Sequence, residues 1–182
     1  MKRLLTRLKV LIFGKTSKSA ILRCIIFAIG FWYIFDYMFD TYTVDGPSMD
    51  TTLKQGQIVW INKYHYNFFD PRRYDIVVMR DLEDGGHMIK RIIGMPGEEI
   101  EMIEGIVFIN GFPDLDAYEV IQSEANRYPG MIFYDNFGPY VLRPDQYFYH
   151  GDNRIESIFG TIYIENILGK VVIPSKEDTS RH

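Results

Sequence analysis

Ser19 to Phe39 reads SAILRCIIFAIGFWYIFDYMF, and this run constrains the chain more than any other stretch. Its length matches what a helix needs to cross a hydrocarbon core, about 20 residues. Its two charges, Arg23 and Asp36, lie near the ends, where a long side chain can reach the interface. Trp32, Tyr33 and Tyr37 suit the far interface, and the basic residues precede the span. The positive-inside rule then predicts a single-pass protein of the plasma (inner) membrane, with its N-terminus in the cytoplasm and everything after residue 40 on the outer side. Three other readings compete. A cleaved signal peptide would have a shorter apolar core and a small-x-small site, which Asp36-Tyr37-Met38-Phe39-Asp40-Thr41 does not supply. A buried core helix would not collect the positive charge on one side. An interfacial helix fits residues 2–13 better, where Leu4, Leu5, Leu8, Leu11 and Ile12 alternate with Lys and Arg.

Charge divides at the same place. The first 35 residues hold seven basic residues and no acid, so the other 13 basic residues face all 24 acidic ones, leaving −11. A domain that acidic does not neutralise phosphates, which argues against nucleic acid as a partner. The single cysteine, Cys24, lies within the apolar run and excludes an intramolecular disulfide. It reads as a small lipid-facing or packed residue, with palmitoylation the alternative. A length of 182 residues allows one domain plus an anchor, and 47% hydrophobic residues suffice for a sizeable core.

Beyond residue 40 the pattern is one of short strands between turns. Gly56 precedes a strand ending at Asn62, and Asp70-Pro71-Arg72-Arg73-Tyr74-Asp75 opens a strand over Ile76–Met79. Met88–Ile93 is a third strand, closed by Gly94-Met95-Pro96-Gly97. Glu99–Met102 and Gly105–Asn110 predict a hairpin. Val141–Tyr149 and Ile162–Ile173 predict two further strands. This spacing predicts a mostly β domain, a barrel or sandwich, over residues 40–174. Residues 1–18 form a basic N-terminus, 19–39 the transmembrane helix, 112–140 an inserted loop or subdomain and 175–182 a polar tail.

Ser48 follows the span by about nine residues, an extended reach of roughly 30 Å, which would keep it near the membrane surface. It stands after a Gly-Pro turn in Val44-Asp45-Gly46-Pro47-Ser48-Met49. A serine hydroxyl needs a base to become a nucleophile. Lysine serves if burial lowers its pKa. Lys90 has that setting, because strand alternation puts it on one face with Met88 and Ile92 and turns Arg91 to the other. By spacing alone, an isolated strand lysine such as Lys90 is more often a solvated edge residue, and a serine in Gly-Pro-Ser is usually an ordinary turn. His65, His87, His150 and His182 are scattered, and no metal-ligand spacing or nucleotide-binding loop is present, so no metal or cofactor is expected.

Four ordered blocks resemble bacterial type I signal peptidases, the serine–lysine proteases that remove signal peptides: residues 44–49 with Thr52-Leu53, residues 73–77, residues 89–98, and Gly151-Asp152-Asn153-Arg154-Ile155-Glu156-Ser157. Phe108-Ile109-Asn110-Gly111 is similar too, and the single anchor looks like the smaller, Gram-positive-type members. The resemblance implies a signal-peptidase-like catalytic domain after one membrane helix. It implies Ser48 as nucleophile and Lys90 as general base, with the Ser48 N–H in the oxyanion hole. At the position where some relatives add a serine hydroxyl to that hole, this chain has Gly46. Ser157 would orient the lysine, and Arg91 with Asp152 would brace its strand. Substrates would be exported preproteins with small residues at the third and first positions before the cut, bound as an extended strand. The oligomeric state is open.

Two departures stand out. Thr51 occupies a family proline position, and Ser157 is followed by Ile158-Phe159-Gly160-Thr161 where the family continues with Asp-Ser-Arg. They leave open a weak or inactive membrane-anchored relative acting as a binding or scaffold protein. A self-cleaving repressor shares the serine–lysine fold but would need a DNA-binding domain where this chain has its basic, apolar N-terminus.

Overall fold

The structure, a computed structural model, describes residues 17–172 apart from 51, 83–84, 115–135 and 155. The predicted interfacial stretch at 2–13, most of the predicted basic N-terminus and insert, Thr51 and the polar tail lie outside the described residues. The chain divides into two units, Met1–Asp40 and Thr41–His182. In the first, helix α1 covers Ser17–Met38. It is long and apolar enough to cross a membrane, and none of its apolar window is buried. Phe31, Phe35 and Phe39 stack in sequence along one side of it, with centroids 6.3 and 4.7 Å apart.

The strands are β1 (Phe39–Thr43), β2 (Ile58–Asn62), β3 (Ile76–Arg80), β4 (His87–Gly94), β5 (Glu99–Ile103), β6 (Ile106–Ile109), β7 (Phe112–Pro113), β8 (Phe137–Val141), β9 (Gln146–His150), β10 (Phe159–Tyr163) and β11 (Ile167–Val171). They form a seven-stranded sheet in the order β1-β2-β11-β3-β4-β9-β10 and a four-stranded sheet in the order β7-β6-β5-β8. All recorded pairings are antiparallel. The larger sheet is strongly curled. β1 and β4 stand four places apart, about 19 Å in a flat sheet, yet the rings of Tyr42 and His87 lie 5.2 Å apart. The mostly β expectation therefore holds, with antiparallel sheets.

Several boundaries differ from the sequence reading. β1 had no period-2 signal, because its Phe39-Asp40-Thr41-Tyr42-Thr43 follows the helix without a break. The single strand expected over 162–173 is two strands, with a 3-10 turn at Ile164–Asn166 between them. β10 begins earlier, at Phe159, and pairs with β9. The ends of the expected insert belong to the small sheet, as β7 and β8, because Phe108–Ile109 and Glu99–Ile100 offer them partners.

Alternation in β4 distributes its side chains among three buried clusters. Ile92 joins Val77, Met79, Tyr147, Tyr149, Ile162 and Ile167. Ile93 joins Ile100, Met102, Val107, Leu142 and Phe148. Ile89 packs against Val44, Met49, Leu53 and Val59, the cluster beneath the Ser48 turn. Phe148 is fully buried and sits 5.3 Å from Phe137 and 6.0 Å from Phe159, centroid to centroid. Phe148→Ala is expected to destabilise the fold by about 3–5 kcal/mol. Denaturant unfolding followed by tryptophan fluorescence checks this, and a loss below about 1 kcal/mol would mean that the sheets close over the void.

Candidate active site

Residues 44–53 leave β1 and turn tightly. Gly46 lies in the left-handed region at φ 80, where glycine is unstrained. Asp50 N–H donates to Pro47 C=O at 2.8 Å, and Thr52 and Leu53 N–H donate to Met49 C=O at 3.1 and 2.8 Å. Met49, 1% exposed, and Leu53 anchor the turn in the core beneath it. Ser48 thus sits on a loop pinned from below. Its own N–H has no acceptor among the described residues.

β4 supplies Lys90, which pairs across the ladder with Val77 and is 4% exposed. Burial lowers its pKa to about 8, against the opposing pull of Asp152 and Asp81. A cavity of about 290 Å³ brings Ser48 and Lys90 together, with Tyr42, Thr43, Val44, Asp45, Met49, His87, Met88 and Ile89 as the other walls. A hydroxyl and a lysine of lowered pKa on one small cavity can perform nucleophilic chemistry with proton transfer.

The loop after β9 closes over the serine turn. Asn153 N–H donates to Ser48 C=O at 3.0 Å, and Asn153 Nδ2 donates to Pro47 C=O at 3.2 Å. Gly151 lies so close that a Cβ there would collide with Ser157 Oγ and the Ser48 carbonyl oxygen. Asp152 takes Arg91 Nε and Nη2 in a two-pronged pair, at 2.7 and 2.6 Å. Arg91 also donates to Tyr74 C=O at 2.8 Å and to Thr52 Oγ1 at 3.3 Å. The guanidinium thereby joins the lysine strand, the serine turn and the closing loop. Arg73 adds a brace on the far side through Glu98 Oε1 and Ile93 C=O.

Each sequence-predicted residue has a definite place. Ser48 and Lys90 share the cavity, Gly46 shapes the turn, and Arg91 pairs with Asp152. Ser157 packs on Gly151, but its hydroxyl donates to Ile158 C=O at 3.0 Å, and no bond from it to Lys90 is present among the described residues. Where the family's Asp-Ser-Arg would follow Ser157, Phe159 instead begins β10 and stacks on His150, with centroids 5.6 Å apart.

Other residues had no assigned role. Tyr42 and His87 form a wall of the cavity, and their meeting depends on the curl of the sheet. Gly151 and Asn153 stand inside a block that the sequence displays, but nothing local marks them as neighbours of Ser48. His150 is 1% exposed, with Nδ1 donating to Gly151 C=O at 2.8 Å. Burial, reinforced by the Arg154 charge, lowers its pKa to about 3, so it is neutral at working pH. It does not line the cavity. No cluster among the described residues could hold a metal ion.

The family model "Signal peptidase, peptidase S26" matches residues 17–175. The chain is similar to a signal peptidase I P of Bacillus subtilis subsp. natto, 36% identical over 126 residues, covering 68% of this chain and 66% of that one. It is 34% identical over 149 residues to a signal peptidase I of Bacillus amyloliquefaciens, covering 79% and 80%. A crystal structure of a signal peptidase I from Enterococcus faecalis aligns over 57% of this chain and 98% of that one, at 24% identity and a TM-score of 0.47. The match of the family model runs from the first turn of α1 past the end of β11, and by it this chain belongs to the signal peptidase family, peptidase S26.

Proposed function

We propose that this protein is a membrane-anchored serine endopeptidase that removes signal peptides from exported preproteins, with Ser48 as nucleophile and Lys90 as general base. The observation that carries the reading is the shared cavity of Ser48 and Lys90, with the lysine buried and its pKa lowered to about 8. At neutral pH roughly a tenth of such a lysine is free amine. That amine accepts the Ser48 proton as Oγ attacks the scissile carbonyl carbon. The Ser48 N–H, which has no acceptor among the described residues, is available to the resulting oxyanion. Lys90 then protonates the departing amine. It next takes a proton from water, whose oxygen attacks the acyl-serine, and returns that proton to Ser48 Oγ as the ester bond breaks, which frees the enzyme.

A cavity of about 290 Å³ lies at the low end of ligand pockets. It suits small side chains of an extended peptide, which supports small residues at the third and first positions before the cut. Ser157 is proposed as a supporting residue, its rotatable hydroxyl lying at the joint between the closing loop and the serine turn. Helix α1 is proposed as a single span with the N-terminus cytoplasmic and residues after 40 outside, which brings lipid and membrane-held preproteins to the same surface. The test is incubation of the full chain, in detergent or lipid, with an exported preprotein, with Ser48→Ala as control. Mass spectrometry then maps the new N-terminus. A single cut after a small-x-small site supports the reading. Intact preproteins with a folded enzyme would leave the scaffold reading in its place.

A further inference from the structure

One residue outside the proposed dyad holds both peptide units flanking the nucleophile. Asn153 N–H donates to the Ser48 carbonyl at 3.0 Å, while its side-chain Nδ2 donates to the Pro47 carbonyl at 3.2 Å. The side-chain amide has a defined orientation, because its Oδ1 accepts from Glu156 N–H at 3.3 Å, leaving the NH₂ end for Pro47. The Pro47 carbonyl belongs to the same peptide plane as the Ser48 N–H. That peptide is trans, so its C=O and N–H point in opposite directions. Bonds that grip the carbonyl therefore decide where the N–H points. Two donors do so, the local Asp50 N–H at 2.8 Å and the distant Asn153 amide. The Ser48 N–H on the other side has no acceptor among the described residues.

We infer that Asn153 is a positioning residue for the oxyanion hole: by holding the Pro47 carbonyl, its side chain aims the Ser48 N–H at the oxygen of the reacting carbonyl. This inference rests on the peptidase reading above. Its weight comes from Gly46, which brings no side-chain hydroxyl to that hole, so the alignment of one backbone donor carries more of the stabilisation. Three other contacts of the loop do not depend on the Asn153 side chain. Its backbone N–H, the Arg91–Asp152 pair and the packing of Gly151 all survive its truncation. The side chain can thus be removed while the loop stays closed.

The experiment compares wild type, Asn153→Ala and Asn153→Asp on one preprotein peptide. It measures kcat, KM, the thermal unfolding midpoint and the affinity for a peptidyl boronate of matching sequence. The boronate accepts the Ser48 oxygen and becomes a tetrahedral anion like the reaction intermediate. Asn153→Asp keeps the side-chain volume and the acceptor for Glu156 but sets an oxygen against the Pro47 carbonyl. Expected is a fall in kcat of about tenfold to a hundredfold, below the 10²–10³ for deleting an oxyanion donor outright. KM should stay within about threefold, and boronate affinity should drop by the same factor as kcat. If Asn153→Ala does not fold, the nearly isosteric Asn153→Asp decides. Folded variants with kcat unchanged, or with KM rising and boronate affinity intact, would overturn the assignment. Failure of wild type to cut any preprotein or to bind the boronate would overturn the peptidase reading, and the inference with it.

Discussion

Lys90→Met is expected to abolish cleavage and, below pH 8, to make the protein more stable. The two effects have one cause. Lys90 is buried, and burial lowers its pKa from 10.5 to about 8. Between those values the unfolded chain binds more protons than the folded one, so stability rises with pH across the window. Below pH 8 the folded state carries the whole cost of the shift, on the order of 3 kcal/mol. Methionine keeps the aliphatic bulk and removes that cost. Its advantage in the unfolding midpoint is therefore greatest below pH 8 and fades toward pH 10.5. Activity follows the opposite logic. Lys90→Met removes the proposed acceptor of the Ser48 proton, and both Lys90→Met and Ser48→Ala should lose about 10⁴–10⁶-fold in kcat. In wild type, kcat/KM should climb as pH rises through about 8 and then level. A flat profile from mildly acidic to alkaline pH would sink lysine as the base. His87 lines the same cavity and is the competing base. Activity surviving in Lys90→Met but lost in His87→Gln would transfer the role to the imidazole.

Gly151→Ala is expected to leave a folded protein whose kcat is about a hundredfold lower. The added methyl would collide with the Ser157 hydroxyl and the Ser48 carbonyl oxygen. Ser157 can rotate, but the carbonyl is backbone, on the residue that carries the nucleophile. Relief therefore requires the serine turn or the closing loop to move. Met49 and Leu53 root the turn in the core, and the Arg91–Asp152 pair roots the loop. Overpacking of this kind costs about 1–3 kcal/mol in stability. A displacement of about 1 Å at the reacting atom costs on the order of 10²-fold in rate. Circular dichroism and an unfolding midpoint would establish the fold, and steady-state cleavage the rate. A variant within threefold of wild type would show that the loop yields away from Ser48.

The sequence by itself determined the local features. The apolar run over Ser19–Phe39 predicts a helix, because a backbone crossing lipid must satisfy its own hydrogen bonds, and α1 lies within a residue or two of the expected limits. Apolar runs bounded by turn residues placed β2, β3 and β4, and Asn110-Gly111 marked the turn after β6, since these signals depend only on neighbours along the chain. Strand alternation showed that Lys90 could be buried between apolar neighbours but did not decide between that and a solvated edge, and in the fold it is buried. Only the tertiary structure decided what those elements meet. β4 lies between β3 and β9, which sets Arg91 against Asp152, 61 residues away in the chain. The curl of the sheet brings Tyr42 to His87 and makes the wall of a cavity from strands that are not neighbours. Gly151 is glycine because of a carbonyl and a hydroxyl that approach it through space, not because of its own backbone. Phe159 begins a strand because β9 offers an edge and His150 a ring to stack on. Such contacts depend on which surfaces bury each other best over the whole domain, and no short window of residues carries that information.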